Sequence, residues 1–240
     1  VAADHADCAT DPQNLIWVMP AEGDLENSGP AVVLAGGEAP SRSTLDHLPT
    51  GALVIAADSG VDSARKLGVP VHLVVGDFDS ATPAGLGWAR ASGARLERHP
   101  ADKDATDLEL ALDAALRLNR SPVLVVGGAG GERLDHLAAN VALLAAPRYA
   151  PLRLRWLLAD GEVAPVHDRL EIQGSPEELV TLLAVGGPAT GVTTSGLRWP
   201  LVRETLQPGS TRGVSNRLVG ATASISLEDG VVLAFHLWRT

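Results

Sequence analysis

Between residues 31 and 158, short β-rich runs alternate with stretches of helical periodicity, and most of the runs end in turns of glycine and aspartate. The runs are AVVLA (31–35), ALVIAA (52–57), VHLVV (71–75), PVLVV (122–126) and LRLRWLL (152–158). Their apolarity is mostly continuous rather than alternating, which marks strands covered on both faces, as in a parallel sheet. Between them, TDLELALDAALRLN (106–119) places Leu108, Ala111, Leu112, Ala115 and Leu116 on one helical stripe. A second helical stretch, LDHLAANVALLAA (134–146), runs into Pro147. This order predicts an α/β, Rossmann-like fold: a mostly parallel sheet with helices on both faces.

After about Asp160 the rhythm changes. ELVTLLAV (178–185), ATASISL (221–227) and VVLAFHL (231–237) are short, β-prone and punctuated by turn residues. They predict a smaller all-β sandwich, with Glu228-Asp229-Gly230 as a hairpin connection between the last two runs. The expected organisation is therefore an α/β domain over 31–160 and a sandwich over 161–240. Residues 1–30 form an arm or an extra strand around LIWVM (15–19).

A formal net charge of -10 argues against a partner rich in phosphate backbone, so no nucleic acid is expected. It leaves room for a small phosphorylated ligand, because a bound divalent cation reverses the local sign. Cys8 is the single cysteine, which excludes an intrachain disulfide and a cysteine-based zinc site. No apolar run is long enough for a membrane helix, and the start of the chain lacks a basic segment followed by an apolar one. The expectation is a cytoplasmic protein with no membrane partner.

In an open parallel sheet, ligands bind beyond the carboxyl ends of the strands. The residues that follow each run therefore describe the site. They are Gly36-Gly37, then Asp58 and Gly60 in ADSG, then Asp77 and Asp79 in GDFDS, then Arg133, Asp135 and His136 in GGAGGERLDH. ADKDATDLE (101–109) adds Asp102, Lys103, Asp104, Thr106 and Asp107 just before the long helix. Each piece has an ordinary structural reading as well. An aspartate after a strand forms turns, and Thr106 followed by Glu109 has the spacing of a helix capping box. Asp107 complements a helix dipole, glycines serve turns, and His136 is a plausible surface or capping residue. None of these explains why carboxylates gather at the same end of successive strands. Carboxylates so placed raise one another's pKa unless a cation offsets them, and Mg2+ suits a few carboxylates completed by water and phosphate oxygens. Lys103 and Arg133 can then clamp phosphate oxygens, an arrangement fit for phosphoryl or pyrophosphoryl transfer from a nucleotide.

The ordered set ADSG (57–60), GDFDS (76–80), DKDATDLELAL (102–112) and GGERLDHLAAN (130–140) resembles the thiamine pyrophosphokinase family. SGLRWPL (195–201) and GVSN (213–216) resemble its thiamine-binding segment. The resemblance implies pyrophosphoryl transfer from ATP to thiamine, Mg2+ dependence, and a homodimer with active sites at the subunit interface. It implies Asp77, Asp79, Asp104 and Asp107 as the catalytic and metal-facing acids. On the nucleotide side it implies Asp58, Gly60, Lys103, Thr106, Arg133, Asp135, His136 and Asn140. On the thiamine side it implies Trp199, Ser215 and Asn216, where an indole face suits a cationic ring. Two departures stand out: Ser59 replaces a glycine of the family's D-G-G-A turn, and Glu132 intervenes between Gly131 and Arg133. Alternatives at this stage are transfer to another alcohol such as a hydroxymethyl pterin, a metal-dependent phosphohydrolase, or a nucleotide- or thiamine-sensing module.

Overall fold

The computed structural model describes residues 28–37, 40–129 and 133–238. The expected N-terminal arm and LIWVM strand, and the Glu132 insertion, lie outside these residues. The α/β half comprises β1 (Gly29–Leu34), β2 (Leu53–Ala57), α1 (Gly60–Leu67), β3 (Leu73–Gly76), α2 (Pro83–Ala91) and β4 (Arg95–Arg98). It continues through α3 (Asp107–Arg117), β5 (Arg120–Val126), α4 (Leu134–Leu144) and β6 (Arg155–Leu158). Strands β4-β3-β2-β1-β5-β6 lie side by side and are all parallel. Strand side chains alternate between faces, so β1 serves two cores. Ala31 and Val33 pack with α3 residues Leu108, Ala111 and Leu112, whereas Val32 and Leu34 pack with Val61 and Ala64 of α1. This is the two-faced burial that continuous apolar runs require.

The second half holds β7 (Gly161–Val166), β8 (Arg169–Gln173), β9 (Leu179–Ala184), β10 (Ala189–Ser195) and β11 (Glu204–Leu206). After these come β12 (Asn216–Arg217), β13 (Thr222–Ser226) and β14 (Val232–Leu237). Strands β7, β14, β9 and β12 extend the parallel sheet beyond β6 as antiparallel neighbours, giving a ten-stranded sheet. A four-stranded sheet, β11-β10-β13-β8, packs against that extension. Val166, Val180, Leu182 and Val232 from one sheet meet Ile172, Val192 and Ile225 from the other. The all-β part is thus a sandwich, as expected, and one of its two layers is continuous with the α/β sheet. The expected hairpin at Glu228-Asp229-Gly230 is not formed. β13 pairs with β8 and β10, whereas β14 pairs with β7 and β9, so this turn carries the chain from one sheet to the other. Its backbone bonds instead to Thr190 at the start of β10.

A polar cluster gathers around the buried His236 near the C-terminal end of β14. His236 Nε2 lies 2.7 Å from Glu178 Oε2, Nδ1 lies 4.0 Å from Glu162 Oε1, and Arg155 Nε donates to Glu162 at 2.9 Å. Burial works against the imidazolium, but the two carboxylates outweigh it and hold His236 above the ordinary histidine value. A raised folded-state pKa means that the folded chain binds more protons. The stabilisation is therefore full below about pH 6.5, the unfolded value, and is lost as pH rises through the folded value. Thermal melts of wild type and His236→Gln should differ most near pH 6 and converge by roughly 2–4 °C towards pH 8.5, the effect of about 1 kcal/mol in a chain of this size. A difference that grows with pH would mean that His236 is held neutral.

Candidate active site

The carboxyl ends of β1, β2, β3 and β5 open onto a cavity of about 670 Å³. The strand order reverses across β1, whose neighbours are β2 and β5, and this is where an open sheet forms a crevice. Ala35, Gly36 and Gly37 line it after β1, Asp58 and Ser59 after β2, Ser80 after β3, and Gly128 after β5. The segment 103–109, including the first turn of α3, forms another wall, with Arg133, His136 and Asn140 from the start of α4. Thr106 caps α3, its Oγ1 accepting the Glu109 N–H at 3.2 Å, so the structural reading of Thr106 holds while it also lines the cavity. The N-terminus of an eleven-residue helix therefore faces the cavity with its positive dipole end.

Three carboxylates converge beside this cavity: Asp58 lines it, whereas Asp77 and Asp79 do not and instead contact the lining residues Lys103 and Ser80. Asp58, Asp77 and Asp79 each offer an oxygen, and the three lie within 4.8 Å of one another. Asp58 is 5% exposed, sits at φ +45°, and leaves its Oδ1 without a hydrogen-bond partner. Burial, then the charges of Asp107, Asp79 and Asp77, push its pKa above the ordinary carboxylate value. Asp77 is the opposite case. Its Oδ2 meets Lys103 Nζ at 2.5 Å and its Oδ1 accepts the Asp79 N–H at 3.1 Å. These contacts, the lysine first, hold its pKa below the usual range. Lys103 Nζ also stands 3.0 Å from Asp107 Oδ1. The turn carrying Asp77 and Asp79 is unusual in its backbone: Gly76 has φ +149° and Phe78 φ +67°. Arg98 braces it, with Nε donating to the Asp77 carbonyl at 3.2 Å and the guanidinium 5.9 Å from the Phe78 ring centre. Nothing in the sequence singled out Arg98.

An all-oxygen set with one orphaned buried carboxylate oxygen fits a hard divalent cation. The trio includes Asp58, which sequence reasoning placed on the nucleotide side, and omits Asp104 and Asp107. Asp104 is exposed and lines the cavity, while Asp107 reaches the cluster through Lys103. Gly60 does not line the cavity. A Cβ there would stand 1.9 Å from the Leu34 carbonyl, so Gly60 permits α1 to pack on β1. Ser59, the departure from the family turn, is accommodated because its hydroxyl lies against Gly36, where a Cβ would come within 2.4 Å. Asp135 points away from the cavity walls into a surface pair with Arg133, at 2.7 Å. Asn140 is buried and donates to the Gly128 carbonyl at 2.9 Å, while Trp156 Nε1 donates to Gly127 at 2.6 Å. These two side chains fix the loop after β5.

Trp199, Ser215 and Asn216 lie together in the sandwich half and do not line this cavity. Trp199 is 52% exposed. Asn216 is buried, and its Oδ1 accepts the N–H groups of Trp199 (3.1 Å) and Arg217 (2.9 Å). Its Nδ2 donates to the Trp199 carbonyl at 2.6 Å, so Asn216 holds the loop that presents the indole. The Arg198 guanidinium lies 5.8 Å from the Trp199 ring centre and pairs with Glu177 at 2.5 Å. Ser215, at φ +60°, bonds through its N–H to Thr181 Oγ1 at 2.9 Å. No helix among the described residues is long and apolar enough to cross a membrane.

Residues 46–155 match the family model described as "Thiamin pyrophosphokinase, catalytic domain", and residues 169–232 match "Thiamin pyrophosphokinase, vitamin B1 binding domain". A thiamine pyrophosphokinase of Bacillus subtilis is 26% identical over 184 residues, covering 75% of this chain and 85% of that protein. Thiamine pyrophosphokinase 1 of Arabidopsis thaliana is 30% identical over 178 residues, covering 70% of this chain and 66% of its own length. Among solved structures, that of the Bacillus subtilis enzyme superposes with a TM-score of 0.77 at 23% identity, covering 89% of this chain and all (100%) of that one. The Candida albicans thiamin pyrophosphokinase superposes with a TM-score of 0.73 at 14% identity, over 95% and 97% of the two chains. At these identities the structural likeness speaks for the fold.

Proposed function

The chain belongs to the thiamin pyrophosphokinase family, and from that premise we propose how its own residues divide the transfer of the pyrophosphoryl group of ATP to the hydroxyl of thiamine. The products are thiamine diphosphate and AMP. The observation that carries the division of labour is the convergence of Asp77 and Asp79 on Asp58, which lines a cavity walled by Lys103 and the α3 N-terminus.

Asp58, Asp77 and Asp79 would hold a divalent cation, taken to be Mg2+. When bound, that ion offsets phosphate charge and makes the β-phosphorus more open to attack. Lys103 and the N–H groups at the start of α3 bind phosphate oxygens, and Arg133 and His136 flank the nucleotide from α4. Asp107 stands beside the trio, tied to Asp77 through Lys103, Asp104 lines the cavity on the same segment, Thr106 holds the helix start, and Asn140 positions the Gly128 turn. Alignment of the thiamine hydroxyl with the β-phosphorus, rather than covalent chemistry by the protein, accounts for the acceleration. Trp199 offers its indole to the thiazolium ring, with Asn216 and Ser215 shaping the loops around it.

The thiamine-side residues and the acidic cavity are built by different parts of the chain. A homodimer in which the Trp199 loop of one copy completes the cavity of the other brings them together. The exposed Val202, Val214 and Val219 around that loop are suited to such burial. A single cysteine and the acidic charge fit a cytoplasmic setting.

The reaction is tested by measuring AMP and thiamine diphosphate from ATP and Mg2+, with and without thiamine. Equal amounts of the two, only with thiamine and lost in Asp77→Ala, are expected. ATP breakdown indifferent to thiamine would mean a hydrolase instead. Asn216→Ala should raise the KM for thiamine about tenfold with kcat little changed, since it loosens the indole without touching the phosphates. Equal losses in both constants would place Asn216 nearer the chemistry. Mixing Asp77→Ala subunits with Trp199→Ala/Asn216→Ala subunits should restore about a quarter of wild-type turnover, since half the dimers carry one intact site. No recovery, with exchange verified, would place each site within one copy.

A further inference from the structure

The acidic cluster already carries a cation of the chain's own. Of its 19 basic residues only two are lysines, Lys66 and Lys103, and Lys66 is exposed on α1. Lys103 is the one at the cavity, with its side chain 13% exposed against an Asp77 side chain 12% exposed. Its ammonium bridges Asp77 Oδ2 at 2.5 Å and Asp107 Oδ1 at 3.0 Å. Beside it, Asp58 Oδ1 is buried and unpartnered, and one oxygen each of Asp58, Asp77 and Asp79 lie within 4.8 Å of one another. The cluster therefore offers two places for positive charge that share one carboxylate: the first filled by Lys103, the second open between Asp58, Asp77 and Asp79.

Two cations on Asp77 repel each other, so the ammonium and a divalent ion compete. A lysine is suited to yield. It is a compact charge on a flexible stem, whereas the planar fork of the arginine used almost everywhere else in this chain locks onto carboxylates. Lys103 also lies in the stretch between β4 and α3 that lines the cavity, so moving its head group requires no change in the sheet.

We propose that Lys103 is a displaceable internal counter-ion that couples divalent-cation binding to nucleotide binding. In the nucleotide-free protein its ammonium holds Asp77 and Asp107 together and keeps the cation site weak. When a polyphosphate enters the cavity, the ammonium turns onto a phosphate oxygen and frees Asp77 for the cation. Each ligand then strengthens the other by the same factor. This builds on the assignment of the cavity to ATP and a divalent ion, and it adds an order to their binding.

The rarity of lysine supplies the test. The full chain is labelled briefly with an amine-reactive acetylating reagent, and peptide mass spectrometry follows Lys103 with Lys66 as the internal control. Labelling of Lys103 is expected to be slow in the apo protein and to rise several-fold at saturating Mg2+. It should fall again when α,β-methylene-ATP, whose α–β bridge cannot be cleaved, is added with Mg2+. Lys66 should not respond. In parallel, calorimetric titration of Mg2+ without nucleotide should show about tenfold tighter binding by Lys103→Gln, while Lys103→Arg binds like wild type or more weakly. Lys103 labelling indifferent to Mg2+, or an unchanged or weaker Mg2+ affinity in folded Lys103→Gln, would overturn the proposal. Thiamine-dependent AMP formation by unlabelled wild type is scored separately. Turnover with an indifferent Lys103 removes only the counter-ion role. Mg2+-dependent exposure of Lys103 without turnover removes the assignment of the reaction and keeps the counter-ion.

Discussion

Asp58→Asn is expected to abolish function and stabilise the fold at once. Turnover should fall by about 10³-fold, the scale on which loss of one preorganised electrostatic group acts. The melting temperature should rise by roughly 2–4 °C at pH 7.5, corresponding to about 1 kcal/mol. The carboxyl is buried, has an unpartnered oxygen, and faces the charges of Asp77, Asp79 and Asp107. All of these make its ionised form costly in the absence of a cation. The amide keeps the shape and removes the charge, and asparagine also accepts the left-handed backbone at φ +45°. The raised pKa fixes the pH dependence: the folded chain holds this proton more tightly, so wild type loses stability as pH rises from about 4 through the folded value. The stabilising effect of Asp58→Asn should accordingly vanish at low pH. Melts without divalent ions, paired with AMP assays, check both halves. A variant less stable than wild type at pH 7.5 would mean that Asp58 is held by favourable contacts, and that the site was not built around an absent positive charge.

The trade between stability and function also explains what the sequence made legible. Strands β1, β2, β3 and β5 were readable because burial on both faces leaves no room for polar residues, and the acids after them stand out against that background. β4, Arg-Leu-Glu-Arg, was not readable, since an edge strand open to water has no need of an apolar run. α1 and α2 are only eight and nine residues long, too few turns for a repeating stripe, and α2 begins at a proline and holds two glycines, so neither stands out from a loop in sequence. The joining of the two halves into one sheet turns on a tight reversal between Leu158 and Gly161, whose pairing composition cannot reveal. In the site, spacing singled out Asp77 and Asp79, but which third acid joins them depends on how far α3 stands from β2. Asn140 and Asn216 look like ligand-binding residues in sequence, yet their amides are spent on the Gly128 and Trp199 carbonyls. That distinction exists only in three dimensions.

The other large effect is expected at Gly76, which ends β3 and starts the turn bearing Asp77 and Asp79. Its φ of +149° is one that side chains rarely adopt, and a Cβ there would stand 3.0 Å from Asp107 Oδ1 and 3.1 Å from the Asp58 Cβ. Gly76→Ala therefore combines backbone strain with intrusion between two carboxylate-bearing elements, β2 and α3. A destabilisation of about 2–4 kcal/mol is expected, larger than most single substitutions produce. Neither neighbour can retreat easily, because Asp58 is fixed by its N–H bond to Val75 and Asp107 begins a capped helix. Activity should fall further than stability accounts for, because the turn must move and Asp77 with it. Restoring the fold with a stabilising osmolyte should recover the melting temperature but not turnover. If turnover returned with the fold, the turn would be serving only the packing of the sheet, and the geometry of Asp77 and Asp79 would tolerate the displacement.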